Sequence, residues 1–161
     1  MRQPLTLRWV SPMALVTVLA LVAVAESSFF QTHFTTIHYA SGKELTDLVW
    51  RLSGKRLHPE SSADMAKNRV DQIVERVESL LGMYPPAFHV DVYLRPHHQT
   101  GDIAFYSHET RTIHVAVDRV TDGVLAHEVA HALINSYFEV PPPPKVQEIL
   151  AQYVDRHLWR D

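Results

Sequence analysis

The chain has 161 residues, of which 46% are hydrophobic and 20% charged, a composition typical of one globular domain rather than a disordered segment. Its net charge of −3 argues against a nucleic-acid-binding protein that relies on a basic surface. The absence of cysteine excludes disulfides, thiolate zinc sites, a cysteine nucleophile and cysteine-ligated iron–sulfur clusters. Any metal site must therefore be built from Asp, Glu and the 11 histidines.

The N-terminal segment has the layout of an export signal. Arg2 and Arg8 precede an apolar run that ends in AVA at 23–25, a small-x-small pattern typical of a cleavage site. We expect residues 1–25 to be a secretory signal peptide and residues 26–161 to be exported to the periplasm or the extracellular space. Loss of the two arginines would change the net charge from −3 to −5. The alternative is an uncleaved membrane anchor, and we expect membrane contact only through such a segment.

Alternating apolar and polar residues predict the strands. They cover the ranges 29–40, 88–95, 103–106 and 112–117, and the last two form a hairpin.

Helical spacing of apolar residues predicts four helices. The first follows a capping-box sequence at 41–44, the second runs from about Ser62 to Leu81 with Gly82 as its C-terminal cap, and the others cover 122–137 and 145–159. Four prolines at 141–144 hold the chain extended between the last two. The last helix has an apolar face formed by Val146, Ile149, Leu150, Tyr153 and Val154. The order of elements predicts a small α+β domain with a short, mostly antiparallel sheet.

A motif in the third predicted helix indicates metal chemistry. His127 and His131 belong to the sequence H-E-x-x-H and, being four residues apart, lie on one helix face, where both imidazoles can reach one zinc ion. Glu128 is placed to act as general base on a zinc-activated water in peptide-bond hydrolysis. A metal-free helix core would instead bury the Glu128 carboxylate without a partner, at a cost of several kcal/mol.

A catalytic zinc ion usually takes three protein ligands and a water molecule. The extended metzincin pattern requires Gly and His where this chain has Ile134 and Tyr137, so a third histidine of that kind is excluded. A carboxylate on the following helix remains. Glu148 is favoured because the proline-rich connection can return its helix against the first. Glu139 is the alternative, near the end of the motif helix.

The sequence HEVAHALI, the proline-rich turn and QEILAQYVD together resemble the gluzincin metallopeptidases, most closely their small peptidase MA-like members. Ile149 stands where that family usually has glycine after the third ligand. The resemblance implies a zincin-like fold, Zn²⁺ as cofactor, His127, His131 and Glu148 as ligands, and Glu128 as base. It also implies a peptide or protein as substrate, with no nucleic acid as a partner.

Other polar residues have weaker indications. Gln152, four residues after Glu148, is a candidate to hydrogen-bond a ligand histidine, and Tyr153 is expected in the core. Four further histidines are expected at the surface: His97, His98, His108 and His114. The resemblance also implies that an edge strand before the motif helix receives the substrate, and the strand of His114 is the candidate.

Two functions follow from these residues. The first is an exported zinc-dependent peptidase. The second is a non-catalytic exported module with a zincin fold that binds zinc and a protein partner. The presence of Glu128 favours the enzyme, because a purely structural zinc site needs no base beside its ligands.

Overall fold

A computed structural model describes residues 28–53, 59–97 and 101–160. The predicted signal peptide lies outside the described residues. The described part is an α+β structure, and no helix in it is long and apolar enough to span a membrane. Its elements in chain order are β1 (Ser28–Gln31), β2 (Thr35–Tyr39), α1 (Gly42–Ser53), α2 (Pro59–Leu81), β3 (Val90–Arg95), β4 (Ala104–Ser107), β5 (Thr112–Ala116), α3 (Asp122–Tyr137) and α4 (Pro144–His157).

The five strands form one mixed sheet in the order β1-β2-β3-β5-β4. The pairs β1–β2 and β4–β5 are antiparallel, whereas β2–β3 and β3–β5 are parallel. The prediction of a mostly antiparallel sheet is therefore wrong. The connections explain the difference. Helices α1 and α2 return the chain, so that β3 runs in the direction of β2. Strand β4 then takes the outer edge, and β5 lies beside β3 in the same direction.

The first predicted strand, over 29–40, is a hairpin of two strands. The turn is built on Thr32, whose Oγ1 accepts hydrogen bonds from the backbone N–H groups of Phe34 (3.2 Å) and Thr35 (2.9 Å). Asp71 on α2 also accepts a hydrogen bond from the Phe34 N–H, at 3.4 Å. The residues of the segment favour strand throughout, so their alternation does not reveal the turn.

The predicted helices are present, with differences at their ends. Helix α4 covers Pro144–His157 rather than 145–159, so the last of the four prolines is the first residue of the helix and not part of the extended connection. Helix α2 begins at Pro59 rather than near Ser62, because the first helical position tolerates a residue without an N–H.

At the start of α1, the Glu44 carboxylate accepts a hydrogen bond from the Ala40 N–H (2.8 Å). The capping box predicts Ser41 as the N-cap and therefore a hydrogen bond from the Ser41 N–H to this carboxylate. The carboxylate instead binds the N–H of the preceding residue, Ala40.

Two helix boundaries agree with the sequence analysis. Gly82, with a φ of 62°, follows α2 in the left-handed conformation that favours glycine. Helix α3 covers 122–137 as predicted, and the Thr121 side chain caps it by accepting a hydrogen bond from the Val124 N–H at 3.3 Å. The motif helix therefore starts at a fixed point.

The sheet has one buried face and one exposed face. Ile37, Val92 and Ile113 lie in register on adjacent strands and are at most 2% exposed, on the face covered by the helices. The neighbouring residues point the other way and form an aromatic row with one ring from each strand: Phe29, His38, Tyr93, His114 and Phe105. Helix α3 packs against β4 and β5 and also against α4. Strand β4 and α4 therefore flank the H-E-x-x-H motif.

Helix α4 leaves much of its predicted apolar face exposed. Val154 is buried, but the exposed fractions of Val146, Ile149 and Tyr153 are 43%, 58% and 45%. Tyr153 stacks on His157, with ring centroids 4.3 Å apart, so the prediction that it packs in the core is wrong. Of the described helices and strands, only α3 and α2 have extensive contact with α4. The side of α4 that faces away from them therefore stays exposed.

Candidate metal centre

Helix α3 presents two histidine side chains from one face. Nε2 of His127 and Nε2 of His131 are 3.3 Å apart, and the two side chains are 21% and 19% exposed. The stretch from 124 to 134, VLAHEVAHALI, contains no proline or glycine, so the helix is regular through the motif. Residues four apart then lie about one turn apart, which brings the two rings together.

Helix α4 adds a carboxylate to this pair. Oε2 of Glu148 lies 3.5 Å from Nε2 of His127 and 3.5 Å from Nε2 of His131. Among the described residues, these three are the one group of His, Asp or Glu side chains whose ligand atoms converge in this way. Glu139, the alternative third ligand, is exposed in the α3–α4 connection and lies outside the group.

The three ligand atoms have the spacing that zinc requires. Two donor atoms about 2.0–2.2 Å from a tetrahedral zinc ion are about 3.3–3.6 Å from each other. The three separations here are 3.3, 3.5 and 3.5 Å. Two histidines and one glutamate are also a ligand set used by catalytic zinc sites, which keep a fourth position for water. The residues present therefore fit one zinc ion.

Glu128 lies beside this group without belonging to it. Its Oε2 accepts a hydrogen bond from the backbone N–H of Tyr106 on β4, at 2.7 Å. Burial raises the pKa of Glu128, and Asp102 and Glu148 raise it further, against the opposing effects of His127 and the Tyr106 N–H. A raised carboxylate pKa suits a group that must take up a proton near neutral pH.

The charge states of His131 and Glu148 favour metal binding. Burial lowers the pKa of His131, and His127 lowers it further, while Gln147 and Glu148 oppose this change through hydrogen bonding. The neutral imidazole, the form that binds metals, is therefore favoured. A hydrogen bond from Gln152, together with the two histidines, lowers the pKa of Glu148 despite partial burial, so its carboxylate is ionised.

Gln152 contacts the candidate metal centre through Glu148 rather than through a histidine. Its Nε2 donates a hydrogen bond to Oε1 of Glu148 at 2.9 Å, and not to a ligand histidine as the sequence analysis suggested. It therefore holds the carboxylate oxygen that does not face the histidines.

Sequence reasoning missed Gln147. Its Oε1 accepts a hydrogen bond from Nδ2 of Asn135 at 2.8 Å, and its Nε2 donates one to the carbonyl of Pro142 at 2.8 Å. Asn135 Nδ2 also donates to the carbonyl of His131 at 2.7 Å. Two features of the sequence could have indicated Asn135 and Gln147. Asn135 lies four residues after His131, and Gln147 directly precedes Glu148.

The site opens into a groove along β4. A cavity of about 790 Å³ lies beside His131 and Glu148, with walls that include Phe105, Tyr106 and the prolines at 141–144. A cavity of about 340 Å³ lies beside His127 and includes Ala104 of the same strand. Both cavities include Glu128, so the groove passes the candidate metal centre on either side.

The other histidines occupy three kinds of position. His97 and His108 are exposed, and His108, in the β4–β5 turn, lines the larger cavity of the groove. His98 lies outside the described residues. His114 is partly exposed in the aromatic row, on the exposed face of the sheet, and belongs to an inner strand, so the expectation that its strand is an edge is wrong. The edge strand beside the motif is β4.

The sequence matches no protein-family model, no curated protein and no solved structure. The functional proposal therefore depends on the residues of the metal centre and their geometry.

Proposed function

We propose that this protein is an exported, zinc-dependent peptidase of the gluzincin type, with a zincin-like arrangement of its sheet and helices. The observation that carries the proposal is the convergence of ligand atoms from His127, His131 and Glu148 at tetrahedral spacing, with the Glu128 carboxylate beside them. The export part depends on the signal-like sequence of residues 1–25.

The chain's own residues would move the proton in this reaction. Zinc, when bound, supplies a Lewis acid that polarises a peptide carbonyl and lowers the pKa of water. Glu128 then takes a proton from the attacking water at Oε1, because Oε2 is held by the Tyr106 N–H. The same carboxylate passes that proton to the leaving amine as the peptide bond breaks.

The groove favours an extended peptide or protein segment as substrate. Strand β4 is an outer strand, so the backbone groups on its free side that do not bind Glu128 are available for pairing with such a segment. The larger cavity has aromatic and proline walls, which suit a bulky apolar side chain next to the bond that is cleaved.

Substitution of the proposed base tests this function. Glu128→Gln is expected to keep one zinc ion per chain and to lower the hydrolysis of a quenched peptide library or casein by about 100- to 10,000-fold. Metal content is measured by atomic emission, and Glu139→Gln, in the α3–α4 connection, is the matched control. Loss of zinc from Glu128→Gln, or unchanged turnover, would contradict the assigned role.

A second candidate is a non-catalytic exported module that binds zinc and a protein partner. The exposed apolar residues of α4, Val146, Ile149 and Tyr153, favour this candidate because their spacing puts them on one helix face that a partner could cover. A wild-type protein that binds zinc, yet cleaves no peptide in the library, would support the module over the peptidase.

A further inference from the structure

The connection between α3 and α4 depends on hydrogen bonds to its carbonyl groups. Its prolines at 141–143 have no N–H, so this part of the connection cannot hold its place by donating backbone hydrogen bonds. The carbonyl of Pro142 instead accepts a hydrogen bond from Nε2 of Gln147, at 2.8 Å. Gln147 lies in the first turn of α4, so this bond joins the connection to the helix that it leads into.

The same glutamine is bound to α3. Its Oε1 accepts a hydrogen bond from Nδ2 of Asn135, which also donates to the carbonyl of His131. A chain of three hydrogen bonds, 2.7 to 2.8 Å long, therefore runs from the backbone of His131 through Asn135 and Gln147 to Pro142. All three bonds are partly buried, where a hydrogen bond is less weakened by competing water.

The first turn of α4 contains no buried residue. No side chain caps its N-terminus, and its buried residues, Ala151 and Val154, lie at least one turn further along. Each residue turns a helix by about 100°. The direction of each side chain therefore depends on the rotation of the turn about the helix axis. A small rotation of the first turn would move the Glu148 carboxylate away from the histidines.

We propose that Gln147 is a positioning residue of the metal centre. By joining the proline-rich connection to α3, it sets the rotation of the first turn of α4 and thereby holds Glu148 within reach of His127 and His131. This inference rests on the zinc site of the proposed function. Gln147 also lines the larger cavity of the groove, so its role is tested by metal affinity.

The test measures metal affinity rather than turnover. Gln147→Met keeps the approximate length of the side chain and removes its hydrogen bonds to Asn135 and Pro142, together with the one that it shares with His131. We expect it to weaken zinc binding by about 10- to 100-fold in a chelator competition, with an unchanged far-ultraviolet circular dichroism spectrum. Gln72→Met, the same replacement at an exposed position of α2, is the matched control and should bind zinc like the wild type.

Two further measurements separate positioning from general stability. The visible spectrum of the cobalt-substituted protein should change in Gln147→Met, because it reports the geometry around the ion, and should not change in Gln72→Met. Asn135→Ala should weaken zinc binding in the same way, and the double variant with Gln147→Met should lose less than the sum of the two losses. Additive losses, or equal losses in the two methionine variants, would overturn the proposal.

The outcomes also separate this inference from the proposed function. A Gln147→Met protein that binds zinc within twofold of the wild type overturns the positioning role and leaves the peptidase intact. A wild-type protein that binds zinc without hydrolysis overturns the peptidase alone. A wild-type protein that binds no zinc overturns both.

Discussion

The backbone N–H of Tyr106 donates a hydrogen bond to Oε2 of Glu128 across 2.7 Å, and this bond joins the edge strand β4 to α3. A main-chain donor is held by the sheet and cannot rotate away as a side chain can. One oxygen of the carboxylate is therefore fixed in place, while the other remains to exchange a proton. The edge of the sheet thus has two roles in the proposed peptidase, since it orients the base and borders the groove.

The third ligand is tested by comparing two glutamates. Glu148→Ala removes one of three donor atoms and should weaken zinc binding by more than about 100-fold, beyond the range typical of residues that only support a ligand. Glu139→Ala should bind zinc as the wild type does, because Glu139 lies outside the converging group. Isothermal titration with a competing chelator measures both. Equal affinities for the two variants would exclude the gluzincin ligand set.

The N-cap of the motif helix is expected to contribute to stability. Thr121→Ala removes the acceptor for the Val124 N–H and should lower the free energy of unfolding by about 1 kcal/mol. Thr121→Ser retains the hydroxyl and should lower the free energy of unfolding much less than Thr121→Ala does. Urea unfolding of the zinc-free protein measures both variants. A loss within the ±0.5 kcal/mol typical of neutral surface substitutions would contradict the prediction.

His114 should make stability depend on pH. Burial lowers its pKa from the usual 6.5, and Arg95 lowers it further. At pH 8 the imidazole is neutral in both the folded and the unfolded chain. As the pH falls through 6.5, the unfolded chain takes up the proton first, so the free energy of unfolding decreases until the folded-state pKa is reached.

The substitution His114→Gln removes the imidazole that takes up the proton. The free energy of unfolding of His114→Gln should fall less between pH 8 and pH 5 than that of the wild type, as measured by urea unfolding of zinc-free protein. The rest of the chain is the same in both proteins, so its contribution cancels in the difference. His97→Gln, with a side chain that is 78% exposed in the wild type, is the control. Parallel curves for His114→Gln and the wild type would show that the fold does not discriminate between the two forms of His114.

The N-terminal segment is tested directly by mass. The positive charges, the apolar run and the AVA sequence predict that protein exported by its host begins at Glu26. Intact-mass spectrometry of that protein gives the answer. An N-terminus at Met1 would support the membrane anchor instead.

Local sequence signals were sufficient where a structure depends on neighbouring residues. Helix α3 follows from the Thr121 cap and an unbroken helical pattern, and Gly82 marks the end of α2 because few other residues adopt a positive φ. Glu148 could be favoured over Glu139 because the proline-rich connection can return its helix against α3, once a thiolate was excluded by the absence of cysteine and a third histidine by Tyr137. Each of these arguments uses residues close in the chain or simple elimination.

Features that depend on distant contacts could not be predicted in this way. The Thr32 turn is supported by Asp71 of α2, which lies almost 40 residues away in the chain. Parallel pairing of β3 with β5 depends on which edge β4 occupies, and no local pattern encodes that choice. Gln147 has the appearance of a surface residue until its partners, Asn135 and Pro142, are known.

The uncapped first turn of α4 has a consequence for the protein without its ion. Ligands on α3 and α4 would make zinc a cross-link between the two helices, and binding of the folded state alone adds about 2.7 kcal/mol to stability when free zinc is 100 times its Kd. Removal of zinc by a chelator should therefore accelerate amide hydrogen exchange in α4 much more than in α3, which is packed between the sheet and its neighbours. In compartments poor in zinc, the last helix would be the first part of the fold open to proteolysis, so that metal supply would set the lifetime of the protein.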